Sequence, residues 1–433
     1  MDVEARGGTT IFDSVPLDAL RRRTSQKWRR YPPDVLPMYV AEMDVPQPEA
    51  VIRAVSDAMR AGDTGYVHGP DYAEALAGFA ATRYGWDVPV ADCRLVPDVM
   101  LGIVEVLRLV TDPGDAVVIN PPVYPPFVQF VAHADRRPLP APLGPDGRLD
   151  LDALDTAFAS ATSGGRRAAY LLCHPHNPTG TLHTAAELAA VGELAGQHGV
   201  RVVADEIHAP LVTGGSAWST DGGDTAPSPR DGAGSTGTLG AGSSGPVGDD
   251  GGGQDEARPR FVPTTTVIPS AIALHSASKA FNLAALKAAV AVPGPDARAD
   301  LARLPEIVLH GVSHLGAVAH TTALRDCGDW LDAVLDGLRH NQRLLAELLA
   351  THLPAARWSP PDATYFAWLD LRDVPAVRDG ADPARLALER GRVALNPGPT
   401  FGTPEGVGFA RLNLAASTAT LHEGVGRLAS ALA

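Results

Sequence analysis

From about residue 95 the chain alternates short apolar runs with longer stretches in which apolar residues recur at helical spacing. Ala116 to Ile119, Ala168 to Cys173, Arg201 to Ala204 and Ile272 to His275 are short, largely aliphatic and without a polar face. Runs of that kind predict strands buried on both sides. The helices predicted among them, Val99 to Leu109, Ala185 to His198 and Ala317 to Leu324, would cover a parallel sheet. Ligands of such sheets sit beyond the carboxyl ends of the strands. Asn120, Asn177, Asp205 and Lys279 stand at those ends.

The flanks read differently. Upstream, Thr24 to Pro37 carries Pro32, Pro33 and Pro37 and is too rich in proline for a helix. The apolar run Leu36 to Asp44 follows, then helices over Pro48 to Met59 and Asp71 to Tyr84, with a turn bearing Tyr66 between them. Downstream, the β-prone residues Thr265, Val267 and Ile268 lead toward Ile272. A helical tract runs from Gly311 to Leu349, and Tyr365 to Leu371 and Phe409 to Leu414 alternate as strands. One segment breaks the pattern. Residues 213–259 are dominated by Gly, Ser, Asp and Thr, with Trp218, Leu239 and Val247 as rare large apolar residues, and predict a disordered surface insertion.

The expected fold is therefore α/β, a large domain with a mainly parallel sheet covered by helices, plus a smaller α+β domain. The expected boundaries are an arm and part of the small domain over 1–60, the large domain over 61–310, connecting helices over 311–354 and the small domain over 355–433.

Composition removes several classes of function. A chain of 433 residues carrying a formal net charge of -14 repels polyphosphates, which argues against nucleic acid as a partner. The three cysteines, Cys93, Cys173 and Cys327, form no CxxC pair, so neither a disulfide framework nor a metal site is expected, and a reducing compartment is. The first residues lack an apolar core and no run of 18 apolar residues occurs, so a cytoplasmic protein without a membrane partner is expected.

The candidate chemistry centres on Ser276-Ala277-Ser278-Lys279. A lysine in an apolar pocket is held partly deprotonated and can attack a carbonyl, which is how pyridoxal 5′-phosphate (PLP) is anchored. Alone, S-x-S-K also suits an exposed helix start; its company decides. Asp205 ends an apolar strand, where an acid can hold a pyridine nitrogen protonated. His208 follows three residues later, within reach of the same ring or its O3′ oxygen. Asn177 sits in the rigid turn Asn177-Pro178-Thr179-Gly180, 28 residues before Asp205. Tyr124 can stack on a ring. Val99 and Met100 open a helix, whose free N–H groups favour a phosphate, with Ser276, Ser278 and Lys287 as added contacts. The planar fork of Arg411 suits a carboxylate.

The ordered set N-P-T-G, D-E-I-H, S-x-S-K and R-L-N resembles the fold type I PLP-dependent enzymes of the aspartate aminotransferase superfamily. The resemblance implies that Lys279 bonds the PLP aldehyde, Asp205 the ring nitrogen and Asn177 O3′. It also implies that Tyr124 stacks, Arg411 takes the substrate's α-carboxylate, and the enzyme is a homodimer in which Tyr66 reaches the neighbouring subunit's phosphate. Ser25 to Trp28, Leu36 to Asp44, His208 and Thr364 to Asp370 look like the MalY/PatB-type cystathionine β-lyases. There are departures: Asp98, Ala285 and Ala363 stand where glycines are expected, and Asp98 puts an acid beside the phosphate.

That subgroup implies α,β-elimination on a small amino-acid substrate such as L-cystathionine or another cysteine S-conjugate. Lys279 takes the α-proton, a thiolate leaves the β-carbon, and pyruvate and ammonia follow. An aminotransferase would use the same residues. A regulatory protein of this fold, binding a transcription factor, is a third reading.

Overall fold

The computed structural model describes residues 10–214, 260–378 and 380–433. Twelve strands among them form three sheets. They are β1 (Leu36–Pro37), β2 (Arg94–Val96), β3 (Ala116–Ile119), β4 (Arg137–Pro140), β5 (Ala168–Cys173), β6 (Arg201–Asp205), β7 (Ile272–His275), β8 (Ala289–Pro293), β9 (Phe366–Asp370), β10 (Val393–Ala394), β11 (Asn396–Pro397) and β12 (Phe409–Asn413).

The large sheet has the order β2-β8-β7-β6-β5-β3-β4. Strands β4, β3, β5, β6 and β7 run parallel, whereas β8 is antiparallel to both β7 and β2. The inner parallel strands β3, β5, β6 and β7 are buried on both faces, whereas the edge strand β4 is not, and the two-residue period sorts their side chains cleanly. Val117, Ile119, Leu171, Cys173, Val203 and Leu274 join one apolar cluster with the helix Val99–Val110. Val118, Tyr170, Leu172, Val202, Ala204 and Ala273 join another with Leu151–Thr162 and Ala185–His198. Asp205 continues the parity of Val203. It therefore lies on the face covered by Val99–Val110, whose first turn is at the same end of the sheet.

The small sheet is the antiparallel array β11-β12-β9. Asn396 pairs with Arg411 and Arg411 with Trp368 in its register. The N-terminal arm reaches this part of the chain, because β1 pairs in parallel with β10. The buried Lys27–Asp44 ion pair, 2.7 Å long with both side chains only 1% exposed, fastens the arm.

Four expectations need correction. Residues Thr265 to Ile268 are not extended: Thr264–Val267 form a helical turn opened by Pro263, which fits the proline preference for helix starts and overrides the β propensity of Thr and Val. The stretch from Thr24 to Pro37 does hold a helical turn, Gln26–Arg29, which ends before the prolines. The helical tract divides at Cys327 into His314–Asp326 and Gly328–His352. Thr213 does not belong to a disordered insertion. It is buried, its hydroxyl bonds the Pro361 carbonyl at 3.0 Å and it accepts from Gln342 at 2.9 Å. The rest of the segment read as disordered, from residue 215, lies outside the described residues. Among the described residues no helix is long and apolar enough to cross a membrane.

Candidate active site

The carboxyl ends of β5, β6 and β7, the first turn of Val99–Val110 and the loop after β7 enclose a cavity of about 200 Å³. Tyr124, Asn177, Asp205, His208, Ser276, Ser278, Lys279, Lys287, Val99 and Met100 all line it, ten positions singled out by sequence and spread over 189 residues.

Lys279 stands four residues beyond the end of β7, with Ala277, Ala280 and Phe281 buried around it. Burial and then the positive charge of Arg411 lower its pKa to about 8. Asp205 is at the end of β6, and burial raises its carboxyl to about 6 although the Ile207 N–H donates to it at 3.1 Å. The carboxylate therefore lies in a dry site with little compensation, and a protonated ring nitrogen would supply the missing cation. His208 is buried with Nδ1 unpartnered, edge-on to Tyr365, and burial lowers its pKa to about 3. It is a neutral imidazole at physiological pH. A lysine beside a carboxylate, an unpartnered imidazole nitrogen and an aromatic wall match the polar groups of PLP.

At the other end, the Ser276 hydroxyl donates to the Ala288 carbonyl at 2.8 Å and accepts from the Ser278 N–H at 3.2 Å. Ser276 shapes the turn through these bonds, and with Ser278 and Lys287 it lines this end of the cavity. Asp98 caps the helix Val99–Val110 and pairs with Lys287 at 3.1 Å. Its φ of -158° is extended backbone open to any residue, and neither Ala285 nor Ala363 has a positive φ, so none of the three positions requires glycine.

Two expected residues are not in the cavity wall. Arg411 is buried beside it: Nη1 donates to Asn177 Oδ1 at 2.8 Å, Nη2 to Asn396 Oδ1 at 2.8 Å and to the Tyr39 carbonyl at 3.2 Å, and the guanidinium lies 3.8 Å from the centre of the Phe366 ring. Asn177 links it to the cavity. Burial lowers Arg411 to about 10, so it stays charged at neutral pH. Tyr66 is 81% exposed beside His310 and does not line this chain's own cavity. Asn120 is structural, since it accepts from Tyr170 and donates to Ala141.

Sequence reasoning missed two supports. Asn396 orients Arg411 only because the β11–β12 register sets them side by side. Asn282, left-handed at φ 56°, exchanges two hydrogen bonds with the backbone of Met43 and so fastens the loop after Lys279 to the arm. Gly180, by contrast, was part of a legible motif. Its φ of 73° and a Pro361 Cβ only 2.2 Å from where a Cβ would sit require glycine.

Behind β5 and β6 lie His174, His176 and His183, all buried, with His174 and His183 stacked at 5.4 Å between ring centres. Burial lowers all three, His176 to about 4. A depressed histidine pKa means that the folded chain binds fewer protons than the unfolded chain, so stability is lost as pH falls from about 6.5 toward 4. For His176 alone the loss is roughly 3 kcal/mol at the acid end. The urea midpoint is expected to drop steeply between pH 6.5 and 4.5 and to be nearly flat from 7 to 8 if these histidines are neutral in the fold.

The sequence profile of the family aminotransferase class I and II matches residues 33–428. A Mycobacterium tuberculosis protein provisionally named cystathionine β-lyase is 47% identical, over 97% of this chain and 98% of its own length. Cystathionine β-lyase PatB of Bacillus subtilis is 32% identical over 92% and 93%. Among solved structures, a provisional PLP-dependent β-cystathionase of Corynebacterium diphtheriae superposes with a TM-score of 0.80 at 29% identity, covering 98% of this chain and 99% of the other.

Proposed function

The chain belongs to the class I and II aminotransferase family, and from that premise we propose that it is a PLP-dependent carbon–sulfur β-lyase. It cleaves L-cystathionine or a related cysteine S-conjugate to a thiol, pyruvate and ammonia. The observation that carries this reading is the meeting of Lys279, Asp205 and Asn177 at one cavity, with Arg411 bonded to Asn177 just behind its wall, in a chain similar over nearly its whole length to proteins named cystathionine β-lyase.

Bound PLP supplies an electron-withdrawing ring conjugated to the substrate's α-carbon. Lys279 Nζ, lowered to about 8, would hold the cofactor's aldehyde and, as a free amine, would take the substrate's α-proton as general base. The Asp205 carboxylate would keep a proton on the ring nitrogen; Tyr124 would pack against the ring, Asn177 and the neutral His208 would hold its oxygen, and Ser278, Lys287 and the Val99 and Met100 N–H groups would hold the phosphate. Arg411, fixed by Asn177, Asn396 and the Tyr39 carbonyl, binds the α-carboxylate, so that the departing thiolate and the α-proton are placed for elimination.

We place the enzyme in the cytoplasm as a homodimer. The exposed Ile52, Met59, Tyr66 and Ile307 supply apolar surface for a second copy, and Tyr66 of the partner subunit completes the phosphate site. The division into arm, large domain, connecting helices and small domain belongs to the same reading. The reaction is tested by thiol release from L-cystathionine with and without an added 2-oxo acid. The β-lyase releases thiol at the same rate in both; an aminotransferase transfers the amino group only when the acceptor is present.

A further inference from the structure

The cavity wall contains four charged side chains among the described residues: Asp98, Asp205, Lys279 and Lys287. On the reading of this cavity as a PLP site, Asp205 is committed to the ring nitrogen and Lys279 to the aldehyde. Lys287 is then the side-chain cation left for the phosphate, and it is already engaged. Asp98 Oδ2 lies 3.1 Å from its ammonium, while Oδ1 accepts the Leu101 N–H at 2.8 Å.

One carboxylate thus engages the lysine's charge and the Leu101 N–H, a further donor of the same first helical turn whose Val99 and Met100 N–H groups are left for the phosphate. The geometry points to Asp98 as a tethered anion that competes with the cofactor phosphate for Lys287 and for the helix N-terminus, holding PLP less tightly than the rest of the cavity allows. The cofactor enters a cup whose local charge is neutral, and its dianionic phosphate meets a like charge that glycine would not present. Asp98 touches neither the reacting carbon nor the aldehyde; it acts through Lys287 and the helix end.

Asp98→Asn isolates the charge, because asparagine caps a helix as well as aspartate does. Full-length protein is titrated with PLP and, separately, with pyridoxal, which lacks the phosphate; binding is followed by quenching of tryptophan fluorescence and by cofactor absorbance. The variant is expected to bind PLP about tenfold more tightly than the wild type, the factor corresponding to about 1.4 kcal/mol, and to bind pyridoxal unchanged. In a Lys287→Met background the gain from Asp98→Asn is expected to shrink, because no lysine remains to be released. Equal or weaker PLP binding by Asp98→Asn overturns the competition, as does an equal gain for pyridoxal, which would mark a general change in the cavity. Failure of the PLP reading itself looks different: neither protein would take up PLP or pyridoxal with any change in absorbance, and both proposals would fall together.

Discussion

Lys279→Ala is expected to lower pyruvate release from L-cystathionine by at least about 10³-fold, the upper range of what a positioned general base contributes, while leaving the protein folded. The expectation follows from two features that coincide at one atom. Burial and the charge of Arg411 bring Lys279 to about 8, so an appreciable fraction is the free amine near neutral pH. The loop carrying it is also fixed from both sides, by the turn of Ser276 and Ser278 before it and by the Asn282–Met43 hydrogen bonds after it. The side chain can leave the cavity wall without opening a core cluster, since it faces the cavity. Borohydride reduction gives an independent readout: cofactor mass is fixed to the Lys279 peptide of the wild type and to no peptide of the variant. Retained activity, or cofactor fixed elsewhere, contradicts the assignment.

Asp205→Asn is expected to separate function from stability. Without the carboxylate the ring nitrogen loses its proton, and activity is expected to fall by roughly 10²- to 10³-fold, the order associated with losing one preorganised charge contact. The cofactor-free protein should respond in the opposite sense. Burial raises the Asp205 carboxyl from 3.8 to about 6, so the folded chain holds this proton more tightly than the unfolded chain does. The stability linked to it is fully present below about 3.8 and is lost as pH climbs through about 6. At pH 8 a neutral amide in its place should stabilise the cofactor-free protein by up to about 3 kcal/mol. Urea unfolding of both proteins without cofactor at pH 8 checks this. A strongly destabilised variant would mean that Asp205 is a structural hydrogen-bonding residue first.

Much of this site was legible because the parallel strands are short and apolar on both faces. Ala116–Ile119, Ala168–Cys173 and Ile272–His275 have the predicted bounds, and a polar residue at the end of such a strand has few places to go. The helix Ala185–His198 was equally plain, opened by the Thr184–Glu187 capping box and closed at Gly199. What escaped depends on register and reach. Nothing near Asn396 in the chain announces that it faces Arg411, and Asn282 meets Met43 across 239 residues. Arg137–Pro140 and Arg94–Val96 are edge strands with half-polar or proline-bearing sequences and gave no periodic signal. The one-turn helices Gln26–Arg29 and Thr264–Val267 are too short for any period to show. Asp98 was visible as an acid out of place, but its pairing with Lys287 needed the fold.

The central claim is that this cavity eliminates a thiol from the β-carbon and does not exchange amino groups. The most direct measurement is the product balance from L-cystathionine, with purified protein and PLP and no 2-oxo acid. The account predicts pyruvate, ammonia and homocysteine in equal amounts over many turnovers. Less than one pyruvate per active site, with the amino group passed on only after an oxo acid is supplied, would contradict it.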